Sequence, residues 1–297
     1  MPGSFAVTVI APSQVWGIGE IGPFPFEQFH GKCLAQGDSW FSIGSLPPGL
    51  TTNVLAQLEL SRSVAIVNCA RPGAVLHHMT DTCTDREFVR LLTGPLAHKW
   101  NAILLSGGGN DLIDAASVGP TAPPARRLLA RPDERGAGPL LGDDYLSKPG
   151  WKTFADHLDI VFTRLVDQRD SGVNKGVPLV LHTYAHLMPR PAAAGFGFGP
   201  WLQPSLTAFG VPANDWLAVA NALVDRLVQL LQTLIAARQA GDPNCALHLV
   251  DTRAAQLQLG DQAAAGSSGD FVNEIHPTRG GYAKVAAVWR QMLDQFV

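Results

Sequence analysis

Lys32-Cys33-Leu34-Ala35-Gln36 runs directly into Gly37-Asp38-Ser39-Trp40, a short apolar stretch that ends on a tight turn carrying a serine. A serine on a turn at a strand end is held where a substrate can reach its hydroxyl, which is how many folds present a nucleophile. Working outward, four more short apolar runs stand out: Ser63 to Asn68, Trp100 to Leu105, Val177 to Thr183 and Cys245 to Asp251. Each ends in a cluster of Gly, Asn, Asp or His, as strands do when their C-terminal ends open into functional loops. Helical patterns lie between them. Trp151 to Gln168 places Phe154, Leu158, Val161, Phe162 and Leu165 at helical spacing. Asn214 to Arg238 carries an apolar stripe from Trp216 through Leu223 and Leu227 to Ile235, stopped by Gly241 and Pro243. Shorter helices are predicted over Thr51 to Leu60, with Thr51 or Thr52 as N-cap, and over Gly281 to Phe296. Strands alternating with helices predict an α/β fold with a parallel sheet covered on both faces.

Composition sets the outer bounds. The 297 residues are 46% hydrophobic and 16% charged, which excludes wholesale disorder, and the net charge of −3 leaves no footprint for nucleic acid. No run of about 18 apolar residues suggests a membrane span. The N-terminus lacks a basic region ahead of its apolar residues, so no signal peptide is expected and a cytoplasmic location is, with secretion by another route left open. Cys33, Cys69, Cys83 and Cys245 show no paired spacing and read as free thiols. Residues 31–297 read as a single domain, residues 1–30 as an N-terminal extension packed on it. Two long stretches break the rhythm, 115–149 and 189–213, both rich in Pro and Gly.

Ester hydrolysis needs a nucleophile, a base and donors for the oxyanion. Ser39 is the candidate nucleophile, and His276, in Asn273-Glu274-Ile275-His276-Pro277, the candidate base. Gly73, after Asn68-Cys69-Ala70-Arg71-Pro72, and Asn110, in Gly107-Gly108-Gly109-Asn110-Asp111, offer donors at two further strand ends. These four blocks, in this order from about residue 33 to the C-terminus, resemble those of the SGNH/GDSL hydrolases. The resemblance implies a flavodoxin-like three-layer α/β/α fold with five parallel strands. It also implies a serine esterase that needs no metal or cofactor and acts on a small-molecule ester through an acyl-enzyme on Ser39. His276 would be its base, and the N–H groups of Ser39 and Gly73 with the Asn110 amide its oxyanion hole.

Two positions depart from the family's pattern. Trp40 stands where an aliphatic residue is usual, and Asn273 stands where an Asp normally orients the catalytic His. Asn273, Asp270, Glu274 and a backbone carbonyl are all candidate orienters of His276. A non-catalytic ligand-binding module on the same fold is the alternative reading. The stretch His182 to Pro189, followed by Gly199-Pro200-Trp201-Leu202, more loosely resembles a subgroup with a "GDSW" first block and a tyrosine-bearing loop after the fourth strand. It suggests Trp40, Tyr184, Phe196, Phe198 and Trp201 as substrate contacts. His182 and His186 read as strand-end and loop histidines, and His77-His78 with Asp81 as a helix-surface cluster, rather than as metal ligands. Asp38 and Asp111 read as braces for the two turns they sit on.

Overall fold

The computed structural model describes residues 3–17, 22–42, 52–81, 83–95, 97–195, 197–242 and 244–297. In chain order it forms β1 (Phe5–Ala6), β2 (Thr8–Ile10), β3 (Gly31–Gly37), β4 (Glu59–Leu60), β5 (Val64–Asn68), α1 (Leu76–Met79), α2 (Arg86–Leu92), β6 (Ala102–Ser106) and α3 (Gly109–Ser117). There follow α4 (Lys148–Asp170), β7 (Leu179–His182), α5 (Gln203–Ala208), α6 (Trp216–Gly241), β8 (Leu247–Val250) and α7 (Arg279–Leu293).

Six strands make one sheet in the order β2-β5-β3-β6-β7-β8, every pair parallel. The central strands β6 and β7 are buried at every position, so successive side chains are covered on both faces. That is the pattern of a parallel sheet sandwiched between helices. The expected count of five strands is corrected to six. The extra one, β2, is a three-residue edge strand from the N-terminal segment, and two of its residues are exposed. β1 pairs with β4 in a separate antiparallel ribbon.

The long helices start where side chains can cap them. Ser147 accepts from Gly150 N–H at the head of α4, and Thr278 accepts from Gly281 N–H at the head of α7. α4 buries Phe154, Leu158, Val161, Phe162 and Leu165; α7 buries Tyr282, Val285 and Trp289. By length and composition α6 is apolar enough to cross a membrane, at a mean hydropathy of 1.2, and half of that window is buried within the protein. The predicted helix over 51–60 is a single 3-10 turn, Leu55–Gln57, running into β4, and Thr51 lies outside the described residues. Its apolar residues Val54, Leu55 and Leu58 are nonetheless buried.

Residues 115–149 are tied down rather than loose. Arg127 is buried, pairs with Glu134, and donates to the carbonyls of Ala122 and Leu129, while Leu129 bridges to Leu146. Residues 189–213 contain α5 and are anchored mainly through Arg190 and Glu274.

Candidate active site

The C-terminal ends of β3, β5 and β6 deliver three of the four sequence blocks to one edge of the sheet, as open α/β sheets do. Gly37 closes β3 against β6: a Cβ there would lie 2.6 Å from Ser106 Cβ, so only glycine permits this approach. The turn that follows is fixed by Asp38. Its backbone N–H donates to the Ser106 carbonyl, and its carboxylate accepts from Trp40 N–H at 2.9 Å and Ser106 Oγ–H at 2.7 Å. The Tyr184 hydroxyl donates to its second oxygen. Behind Ser106, His182 Nε2 lies 2.7 Å from Oγ, extending the chain to β7. Since Ser106 gives its proton to Asp38, His182 is the Nε2–H tautomer, and its buried Nδ1 meets no donor among the described residues. Burial pushes the Asp38 carboxyl up to about 6 despite these donors and pushes His182 down to about 3. Asp38 is therefore a brace, as the sequence suggests; Ser106, which completes the network, carries no motif that would single it out, and His182 reads in the sequence only as a strand-end histidine.

Ser39, half-buried on this turn, faces His276. Its Oγ lies 2.8 Å from His276 Nε2, across 237 positions of sequence. The other imidazole nitrogen, Nδ1, lies 3.1 Å from Asn273 Oδ1. Asn273 Oδ1 also accepts the backbone N–H groups of Ile275 at 3.1 Å and His276 at 2.9 Å. Two backbone donors fix which end of the amide is oxygen, so Nδ1 must carry the proton and Nε2 must present its lone pair to Ser39. Burial holds His276 down at about 4, and the neutral amide beside it does nothing to raise it.

The other proposed orienters are engaged elsewhere. Asp270, expected among the catalytic residues, accepts Gln258 N–H at 2.7 Å and pairs with Lys284 at 2.6 Å on the flank of α7, so it does not reach His276. Glu274 is buried and accepts the backbone N–H groups of Arg190, Trp201, Leu202 and Gln203, which pins the chain entering α5. The backbone carbonyl of Asn273 is taken by the Arg190 guanidinium at 2.8 Å.

Asn110 sits in the first turn of α3, which Gly108 opens at a φ of +97°. Its side-chain amide donates one hydrogen to the Ala74 carbonyl at 3.0 Å, and the residue lines the same small cavity as Ser39. The N–H groups of Ser39 and Gly73 meet no acceptor among the described residues. Unpaired donors beside a nucleophile are what an oxyanion hole requires; Asn110 lines the cavity with Ser39, whereas Gly73 is not among its lining residues.

The expected substrate contacts divide. Trp40 is buried, packed edge-on against Tyr184, His182 and Tyr282, with its flank on the cavity. Tyr184 lines the cavity too, but its hydroxyl is committed to Asp38. Trp201 stands edge-on to the His276 ring, centroids 5.3 Å apart. Phe198 is 60% exposed in a Gly195–Phe198 bridge and is not part of the cavity wall, and Phe196 lies outside the described residues. Leu187 belongs to the stretch singled out with Tyr184, but sequence reasoning missed the rest of the aliphatic lining, Leu112, Ile113, Val224, Leu227 and Ile275. These residues look like ordinary core positions of α3, α6 and their loops.

No family model matches the sequence, and no curated protein matches it. Solved structures do. A catalytic mutant of the acetylxylan esterase Axe2 from Geobacillus stearothermophilus is 13% identical over 88% of this chain and 93% of its own, at a TM-score of 0.46. The extracellular lipase of Streptomyces rimosus is 13% identical over 90% of this chain and 100% of its own, also at 0.46. Phospholipase A1 from Streptomyces albidoflavus is 16% identical over 90% and 99%, at 0.42.

Proposed function

We propose that this chain is a serine-dependent carboxylic ester hydrolase of the SGNH/GDSL kind, working without a metal at the reacting atoms. The observation that carries the reading is the relay from Ser39 Oγ to His276 Nε2, at 2.8 Å, and on from Nδ1 to Asn273 Oδ1, at 3.1 Å. His276 takes the hydroxyl proton as Oγ attacks the ester carbonyl. The tetrahedral oxyanion is received by the N–H groups of Ser39 and Gly73 and the free hydrogen of the Asn110 amide. The imidazolium then gives its proton to the leaving alcohol, and water repeats the sequence on the acyl-enzyme.

The cavity beside Ser39 is small, about 50 Å³, and mostly aliphatic. Room for no more than a few waters suits a short acyl group. Short-chain p-nitrophenyl esters are therefore the substrates to assay. A fluorophosphonate probe should label the wild-type chain and leave Ser39→Ala unlabelled. Labelling that persists in Ser39→Ala would move the nucleophile to another residue. A wild-type chain that binds these esters without turnover or labelling would favour the non-catalytic module, to which the missing carboxylate at 273 lends some support.

A further inference from the structure

A second cluster of chemistry-bearing side chains lies behind the oxyanion donors. His77 on α1, Asp111 in the first turn of α3 and His157 midway along α4 each bring a ligand atom within 4.8 Å of the other two. They share the wall of a cavity of about 270 Å³, with Asp114 and Arg126 as its other charged lining besides Arg127, whose guanidinium is turned to Glu134. Asp81, which the sequence pairs with His77-His78, instead caps the turn at Cys83 and Thr84. The true neighbours of His77 come from distant parts of the chain.

We propose that His77, Asp111 and His157 form a binding site for a divalent transition-metal ion of the zinc class, apart from the reacting atoms. Two neutral imidazoles and one carboxylate are a donor set that zinc accepts, with the remaining position open to water. Asp111 is buried, and among the described residues only Leu76 N–H donates to it from elsewhere, shared between its two oxygens at 3.0 and 3.3 Å. A carboxylate can accept about four hydrogen bonds, so this one is left with unused lone pairs facing the two imidazoles.

The geometry is near what a bound ion requires. The rings of His77 and His157 lie 6.0 Å apart at 70°. Two imidazoles sharing one zinc at about 2.0–2.1 Å have centres about 5 Å apart. Both histidines are exposed, so modest side-chain rotation closes the difference. A bound ion would join α1, α3 and α4. Through Asp111 it would also hold Leu76 N–H, beside the Ala74 carbonyl that receives Asn110. That consequence for the oxyanion donors rests on the hydrolase reading; the site itself does not.

Cobalt titration of the chelator-stripped full chain tests the site through visible ligand-field absorption. The expected result is one Co²⁺ per chain with the intense bands of low coordination, displaced by Zn²⁺, and a thermal midpoint raised by Zn²⁺. His77→Ala with His157→Ala should abolish both effects. These residues are surface-exposed, so the double variant should keep the wild-type midpoint when metal-free. Absence of the bands, or identical bands in the double variant, would overturn the site. Fluorophosphonate labelling reports on Ser39 separately: metal binding by a chain that never labels would sink only the hydrolase reading.

Discussion

Replacing Asn273 with Asp isolates what a charge contributes to this relay. The substitution keeps the shape and retains an oxygen that accepts Ile275 N–H, His276 N–H and His276 Nδ1–H. It exchanges Nδ2, which is buried with no partner among the described residues, for a second carboxylate oxygen. With donor and acceptor 3.1 Å apart, the charges of imidazolium and carboxylate sit roughly 4 Å from each other. At an effective dielectric near 20 that is worth about 4 kcal/mol, or roughly 3 pH units at 1.36 kcal/mol each, as an upper bound. Opposite charges at such range usually shift a pKa by about 1–3 units. His276, held by burial at about 4 in the native chain, should therefore titrate at roughly 5–7 in the variant. The base must be neutral in the free enzyme, so the sign is fixed: kcat/KM falls as pH drops through the His276 pKa. The acid limb, near 4 in the native chain, moves upward in Asn273→Asp. Above that limb kcat should rise roughly tenfold, because the carboxylate stabilises the imidazolium of the transition state while the tautomer, already set by Oδ1, is unchanged. Initial rates on p-nitrophenyl acetate from about pH 4 to 9 measure both. An acid limb that does not move would show that residue 273 does not face the base, or that His276 is not the base.

Two further substitutions address neighbouring groups. Asn110→Ala should lower kcat by roughly a hundredfold or more, about 2.7–4 kcal/mol, with the unfolding midpoint little changed; unaltered turnover would remove Asn110 from the oxyanion hole. Tyr184→Phe strips one donor from the buried Asp38 carboxylate and should cost roughly 1–3 kcal/mol in a urea titration. Unchanged stability would mean that the hydroxyl contributes nothing to the turn that carries Ser39.

Most of this architecture is legible in the sequence because parallel strands buried on both faces read as unbroken apolar runs. β3, β5, β6, β7 and β8 fall within the stretches marked by that signal, give or take a residue at the ends. β2 escapes it because an edge strand of three residues with two exposed has neither length nor pattern. Residues 115–149 read as featureless for a different reason. Their order comes from Arg127, whose buried guanidinium gathers the carbonyls of Ala122 and Leu129, and local sequence cannot announce a buried arginine. At the site, the motifs mark side chains whose role is local to a turn: Ser39, Asn110, His276. What they do not mark is which polar groups are already engaged. Tyr184 lines the cavity as expected, but its hydroxyl is spent on Asp38, and Asp270 reads as an orienter of His276 until Lys284 is found on it.

The same accounting explains why a neutral residue can stand at 273. The chain around His276 already buries one acid, Glu274, beside Arg190, whose guanidinium spans the carbonyls of Phe271 and Asn273 while its backbone N–H donates to Glu274. Glu274 is satisfied by four backbone N–H groups and holds the entry to α5. A carboxylate at 273 would place two buried negative charges on consecutive residues opposite one guanidinium. Balance would return only when His276 is protonated. Such an arrangement costs stability in the resting chain and gains it in the transition state, where the imidazolium forms. Asn273 takes the opposite compromise: it orients the imidazole, leaves it a weak base held low by burial, and adds no charge to a crowded interior. Asn273→Asp should therefore couple a faster chemical step to a lower unfolding midpoint. A variant that gained rate with no loss of stability would show that Arg190 already neutralises more than one carboxylate.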